Sequence, residues 1–127
     1  MHKNKAFTLL ELLVVIGIIG VLLAFVTVGF SSAQKQGRDS RRKQDLASIQ
    51  NAMEQYYAAN NFVYPKTTNC TSPTCTAIAT YFTGGSVPRD PLSTAQEYAF
   101  TVNALGTSYS VTATLEKGGV ASVSNLQ

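Results

Sequence analysis

The side chains that catalysis requires are few in this 127-residue chain, and they lie far apart. There is one histidine, His2, and there are two cysteines, Cys70 and Cys75, with seven acidic residues scattered along the sequence. Nucleophilic or general acid–base catalysis needs a reactive group with a base or acid beside it, and neither cysteine has a candidate base partner. We therefore expect no catalytic residues, no cofactor and no enzyme activity.

The two cysteines enclose a short polar segment that contains Pro73. Structural zinc needs four ligands, and His2 lies before a long apolar run, so we predict no metal site. The spacing suits a small loop closed by a Cys70–Cys75 disulfide, which would imply an oxidising compartment outside the cytoplasm. Two unpaired thiols in a polar loop are the alternative.

Glu11 is a carboxylate at the start of the apolar run. The nineteen residues from Leu12 to Phe30 carry no charge, and as a helix they would extend about 28 Å, close to the hydrocarbon thickness of a bilayer. A carboxylate in lipid is costly unless it has a partner. Thr8 offers one, because a hydroxyl residue three positions before a glutamate fits the capping box of a helix start.

A second partner for Glu11 would arise if the chain were cut between Ala6 and Phe7. The new α-amino group would lie four residues from Glu11 and could pair with it within one chain. Between stacked chains, the amine of one could instead pair with the carboxylate of the next, and such a pair gains strength in a bundle of low dielectric constant. Glu11 would then set the register of the subunits.

The elements that position these residues begin with one long helix. No proline interrupts the pattern from about Phe7 to about Asn60, which is apolar all round in its first half and amphipathic in its second. The apolar stripe of the second half has spacings of three and four and consists of Leu46, Ile49, Met53, Tyr56 and Tyr57. A later part of the chain must cover this stripe.

After the helix, the sequence pattern predicts a connecting segment followed by a small antiparallel sheet. Residues 61–97 are rich in Thr, Ser, Pro and Gly, with a short apolar piece at 77–82 that suits one or two helical turns. From about residue 98 to 124, apolar and polar residues alternate in three runs separated by glycine-containing turns. The apolar face of this meander is the natural partner of the helical stripe.

The start of the sequence, Lys5-Ala6-Phe7-Thr8-Leu9-Leu10-Glu11-Leu12, resembles the leader motif of type IV pilins and pseudopilins. The resemblance rests on the basic leader, the aromatic residue after the cut, the glutamate at the fifth mature position and the apolar span that follows. It implies cleavage between Ala6 and Phe7, methylation of Phe7 and alignment of subunits by Glu11. Ala6 stands where leaders of the family usually end in Gly.

The resemblance also implies a fold, a location and partners. The fold is α+β and pilin-like, with one long N-terminal helix, transmembrane in its first half, whose second half packs on the sheet. The expected organisation is a leader at 1–6, a transmembrane assembly helix at 7–30 and an extracytoplasmic domain at 31–127. The subunit would start in the inner membrane with a cytoplasmic N-terminus and enter an extracellular pilus or a periplasmic pseudopilus. Its partners would be further copies in a filament, the prepilin peptidase and methyltransferase, the assembly platform and its ATPase.

A further resemblance concerns Val87-Pro88-Arg89-Asp90-Pro91-Leu92, which is similar to the turn before the sheet in the main pseudopilin of type II secretion, where nearby loop oxygens bind calcium. Asp90 and Glu97 are the only acids between Glu54 and Glu116, which are few for a calcium shell. We expect a turn without metal.

Five basic residues follow the apolar run, namely Lys35, Arg38, Arg41, Arg42 and Lys43. The ordinary explanation of such a cluster is a solvated helix face. By the positive-inside rule it outweighs Lys3, Lys5 and the amino terminus and would place the domain in the cytoplasm. The leader motif requires the opposite topology, and a disulfide would agree with the motif.

Two alternatives remain open at this stage. One is a minor pilin or competence pseudopilin whose residues from Arg38 to Lys43, or whose sheet loops, bind DNA. The other is a small secreted domain released by an ordinary signal peptidase after Ala33, although the uncharged run exceeds the usual signal core and Glu11 would have no role.

Overall fold

The computed structural model describes residues 7–66, 70, 75–92 and 97–127, and for residues 26–28 it describes the backbone alone. These ranges contain α1 (Leu9–Ala59), a 3₁₀ helix (Thr76–Tyr81) and the strands β1 (Ala99–Val102), β2 (Tyr109–Thr114) and β3 (Val120–Ser124). The predicted α+β pilin-like fold is confirmed, and α1 begins and ends within about two residues of its predicted bounds. The predicted leader, residues 1–6, lies outside the described residues.

The chain divides into two compact units between Lys35 and Gln36. In the N-terminal unit, α1 leaves its large apolar side chains exposed, for example Leu13 at 59% and Ile16 at 60%. By length and composition, α1 is apolar enough to cross a membrane. The C-terminal unit, Gln36–Gln127, holds the sheet and the buried core.

The sheet of the C-terminal unit has the strand order β1-β2-β3, and both pairs are antiparallel. Val111 of β2 lies opposite Phe100 of β1 and Val123 of β3. Along β2, buried Tyr109, Val111 and Ala113 alternate with less buried residues, as the period of two in the sequence predicts. One face of the sheet therefore faces the core.

The amphipathic half of α1 supplies the other side of that core. Leu46, Ile49 and Met53 are almost fully buried, and Tyr56 and Tyr57 pack against them while partly exposed. The predicted stripe is thus confirmed. Burial of an aliphatic side chain of this size stabilises the fold by about 1.5–3 kcal/mol, so these residues fix the rotation of α1 against the sheet.

Cys70 and Cys75 form a disulfide, as the spacing predicted. Both cysteines belong to the hydrophobic core, where Cys70 is 1% and Cys75 0% exposed. The 3₁₀ helix begins directly after Cys75 and buries Ile78. The disulfide therefore attaches the connecting segment to the core.

Gly106, in the turn between β1 and β2, contacts the segment that follows α1. Its carbonyl accepts a hydrogen bond from the Tyr64 N–H at 2.8 Å. Its φ is +70°, and a Cβ placed on it would lie 2.5 Å from Val63 Cγ1 and 3.0 Å from the Tyr64 carbonyl oxygen. Only glycine fits this backbone conformation and this close approach.

We expect Gly106→Ala to lower the free energy of unfolding by about 2–4 kcal/mol, because backbone strain and overpacking act together. Gly119→Ala is the matched control: its φ is +92°, but no atom lies within 4 Å of the added Cβ, so it should cost only about 1–2 kcal/mol. Urea denaturation followed by near-ultraviolet circular dichroism measures both. Equal losses in the two variants would show that the contact with Val63 and Tyr64 contributes nothing.

Candidate assembly site

The first turn of α1 is capped by Thr8 and Glu11. The Thr8 N–H and hydroxyl each donate to Glu11 Oε2 at 2.9 Å, and the Glu11 N–H donates to Thr8 Oγ1 at 3.2 Å. This is the reciprocal capping box that the sequence predicted. It holds the carboxylate at the helix start, where the helix dipole also favours a negative charge.

The cap uses only one of the two carboxylate oxygens. Among the described residues, Glu11 Oε1 accepts no hydrogen bond. The neighbouring side chains are apolar and exposed, with Phe7 at 80% and Leu10 at 71%. The carboxylate thus has an acceptor left for a partner, within a surface that is otherwise suited to lipid or to other apolar helices.

The residues predicted at the cleavage site are only partly described. Ala6 lies outside the described residues, and Phe7 is exposed immediately before the first turn of α1. Cleavage between them and methylation of Phe7 therefore stay predictions.

A second arrangement of charged groups lies in the C-terminal unit, centred on Arg42. This arginine is 0% exposed, and its guanidinium donates to Asp90 Oδ2 at 2.6 Å, Asp90 Oδ1 at 3.0 Å, Asp39 Oδ1 at 2.7 Å and Glu116 Oε1 at 3.0 Å. Arg38 adds two hydrogen bonds to Glu116, at 2.6 and 2.7 Å. We call these five residues the Arg42 cluster.

The interpretation of the basic run as a solvated helix face was wrong for Arg42. Its fixed donors match carboxylate geometry, and the pair with Asp90 is bidentate, so burial is compensated by charge-assisted hydrogen bonds. Asp39, three residues before Arg42 on the same helix, was the one local signal of this pairing. Asp90 and Glu116 are 48 and 74 residues away, beyond the range of periodicity arguments.

The Arg42 cluster ties two loops to α1. Asp90 also accepts the Leu92 N–H at 2.7 Å, and Asp39 accepts the N–H groups of Glu116 and Lys117 at 2.9 and 3.1 Å. The proline-flanked turn and the β2–β3 turn are therefore both fixed on the helix. The turn that resembles a calcium-binding segment uses both oxygens of Asp90 for a guanidinium, and no group of metal-binding side chains is found in the described ranges.

The cluster favours the charged form of two of its carboxylates, Asp39 and Glu116. Hydrogen bonds from Arg38, assisted by Arg42, lower the pKa of Glu116 to about 2. The pKa of Asp39 is also lowered, chiefly by the hydrogen bond from the Glu116 N–H. The fold is therefore stabilised by the deprotonated carboxylates.

We expect the C-terminal unit to lose stability in acid. Because the folded pKa of Glu116 lies below its ordinary value of 4.5, its contribution is complete above about pH 4.5 and is lost as the pH falls toward 2. Urea midpoints from near-ultraviolet circular dichroism, taken from pH 7 downward, measure this loss. Glu116→Gln should flatten the profile, and a stability that rose on acidification would contradict the prediction.

Three tyrosines direct their hydroxyls to carboxylates of α1, which the sequence did not reveal. The Tyr98 hydroxyl donates to Asp45 at 2.6 Å, and those of Tyr64 and Tyr109 donate to Glu54 at 3.0 and 3.2 Å. Burial, and then the neighbouring carboxylate, raises the pKa of all three tyrosines. These polar tips anchor the aromatic core to α1.

The Prokaryotic N-terminal methylation motif matches residues 1–27 of this chain. The chain is 31% identical over 106 residues to the type II secretion system core protein G of Vibrio cholerae, a match that covers 77% of this chain and 72% of that protein. The same-named protein of Escherichia coli is 35% identical over 51% of this chain and 44% of its own length.

A pilin is also among the relatives. The type IV major pilin protein PilA of Myxococcus xanthus is 32% identical over 44% of this chain and 26% of that protein. No solved structure gives a significant match. Three findings agree: the methylation motif, the match to the Vibrio protein over most of both chains, and the long helix packed on a three-stranded antiparallel sheet. This chain therefore belongs to the type IV pilin and pseudopilin family.

Proposed function

We propose that this protein is a structural, non-enzymatic subunit of a pilus-like or pseudopilus-like filament. The observation that carries the proposal is the half-capped Glu11 at the start of an exposed apolar helix, inside a segment that matches the N-terminal methylation motif. An apolar helix with no covering of its own needs either lipid or other copies of itself. The carboxylate oxygen Oε1, which accepts no hydrogen bond from the described part of the chain, supplies the polar contact that would set their register.

The maturation that fits this role proceeds in two steps. A prepilin peptidase cuts between Ala6 and Phe7, and the new amino group of Phe7 is methylated. Before assembly, the subunit is stored in the inner membrane as a single-pass protein, with its N-terminus in the cytoplasm and residues 31–127 on the other side. An assembly platform with its ATPase then moves residues 7–30 from lipid into the filament core.

Mass spectrometry of the mature N-terminus tests this route. We expect a chain that begins at methylated Phe7. A chain that begins at Gln34 would indicate an ordinary signal peptide, and an intact Met1 would indicate a plain membrane anchor; either result would refute the proposal.

The DNA-binding alternative is weaker than the sequence suggested. Arg38 and Arg42, two of the four cations from Arg38 to Lys43, are held by carboxylates of the fold. No contact among the described residues of the C-terminal unit favours nucleic acid over other anions, and we do not propose DNA as a partner.

A further inference from the structure

Folding segregates the charges of the C-terminal unit. Its six acidic residues include five that are buried or half-buried and bonded to fold partners: Asp39, Asp45, Glu54, Asp90 and Glu116. Of its seven basic residues, five are exposed: Arg41, Lys43, Lys66, Arg89 and Lys117. Glu97 is the one exposed carboxylate of the unit. A nearly neutral sequence thus folds into a unit with a cationic surface.

Two of the exposed lysines line one cleft, between the first turns of α1 in this unit and the β2–β3 turn. We call this the basic cleft; its lining includes Gln36, Ser40, Lys43, Lys117 and Gly118. Lys117 Nζ donates to Gln36 Oε1 at 3.1 Å, which leaves two of its three donors available. Gly118 has no atom within 4 Å of the position that a Cβ would take, so the turn leaves the cleft open.

The acidic groups next to the basic cleft are already neutralised. Asp39 also lines it, but both of its oxygens accept hydrogen bonds, from Arg42 and from the N–H groups of Glu116 and Lys117. The Glu116 side chain is paired with Arg38 and Arg42. The field that an incoming anion meets is therefore dominated by the two lysines.

We propose that the basic cleft binds phosphate groups of anionic lipids at the surface of the membrane that holds the apolar segment of α1. The proposal rests on the proposed function, because it requires that segment to lie in a membrane. Gln36 follows Phe30, the last residue of the uncharged run, by only six residues of the same helix, so the cleft is tethered close to the lipid headgroups. Basic residues near an anionic membrane are attracted to it, and none of the described residues that line the cleft is aromatic and able to stack on nucleic-acid bases.

The test measures lysine reactivity in the full chain, reconstituted in nanodiscs of zwitterionic lipid or of a mixture with phosphatidylglycerol. Mass spectrometry follows the acylation of each lysine by an amine reagent. We expect Lys43 and Lys117 to react about fivefold more slowly in the anionic discs, the factor for about 1 kcal/mol per basic residue at an anionic surface. The protection should vanish at about 1 M salt, where the Debye length is about 3 Å.

Lys66 is the internal control, because it is exposed and follows the far end of α1. Lys43→Gln should remove most of the protection of Lys117, whereas Lys66→Gln should leave it unchanged. Equal rates in the two kinds of disc, or equal slowing of Lys66, would overturn the proposal. Protection by a short DNA duplex but not by anionic discs would also overturn it, in favour of nucleic acid.

The experiments distinguish failure of the lipid-binding proposal from failure of the proposed filament role. A chain with methylated Phe7 that assembles filaments but shows no lipid protection would reject the basic cleft alone. A chain that keeps its leader yet shows the protection would reject the filament role and retain the lipid site.

Discussion

Glu11→Ala should abolish filament assembly while leaving the protein in the membrane. The substitution removes the only acidic residue before Asp39, so insertion becomes easier rather than harder. In a filament, the amino group of Phe7 in one subunit would lose its pairing with the Glu11 carboxylate of a neighbour. Because that amine would then be unpaired in an apolar bundle, we expect roughly a 100-fold or greater loss of subunits in sheared filaments.

Two variants separate the capping role of Glu11 from its proposed role between subunits. Thr8→Val removes the hydroxyl that bonds to Oε2 and accepts the Glu11 N–H but keeps the carboxylate, so assembly should continue. Glu11→Gln keeps a cap acceptor but removes the charge, so assembly should fail as in Glu11→Ala. Immunoblots of membrane and sheared fractions measure each variant, and normal filaments from Glu11→Gln would refute the ion pair.

Arg42→Ala should be the most destabilising single change in the C-terminal unit, with a loss of about 3–5 kcal/mol in the free energy of unfolding. It would leave Asp39 and Asp90, which are 7% and 5% exposed, without their main counter-charge. It would also release the Asp90 turn from α1 and remove one of the contacts of the β2–β3 turn, which Arg38 and Asp39 continue to bind. Arg42→Lys should recover only part of the loss, because an ammonium lacks the bidentate geometry seen with Asp90.

Arg41→Ala is the matched control for this prediction. Arg41 precedes Arg42 on the same helix, but its side chain is 67% exposed and its nearest carboxylate contact, with Asp45, is 4.0 Å long, so we expect a change within about 0.5 kcal/mol. All six tyrosines lie in the C-terminal unit, so near-ultraviolet circular dichroism in urea reports the unfolding of this unit separately from the apolar helix. Equal effects of the two substitutions would contradict the assigned role of Arg42.

What the sequence could predict follows from the range of each interaction. Spacings of two to four residues predict the extent of α1, the stripe from Leu46 to Tyr57 and the alternation along β2. The structure confirms all three. The Thr8–Glu11 cap and the Cys70–Cys75 disulfide were predictable for the same reason. Each depends on residues that are close together in the chain.

The Arg42 cluster could not be predicted from local sequence patterns. Nothing near Arg42 distinguishes it from Arg41 except Asp39, because both arginines belong to the same charged run. Their difference is created by Asp90 and Glu116, which the fold brings to one side of α1. The tyrosine contacts with Asp45 and Glu54 were missed for the same reason. In both cases the partners are set by tertiary packing rather than by local pattern.

Because the disulfide is buried, it must form before folding of the C-terminal unit is complete. A dithiol oxidant must touch a sulfur atom to exchange with it, and in the finished domain both sulfurs are covered by the core. The bond must therefore close before Cys70 and Cys75 are buried, which is before the 3₁₀ helix packs Ile78 into the core. Once closed and covered, it is shielded from soluble reductants. A subunit that folded before meeting an oxidant would keep its thiols for the lifetime of that fold.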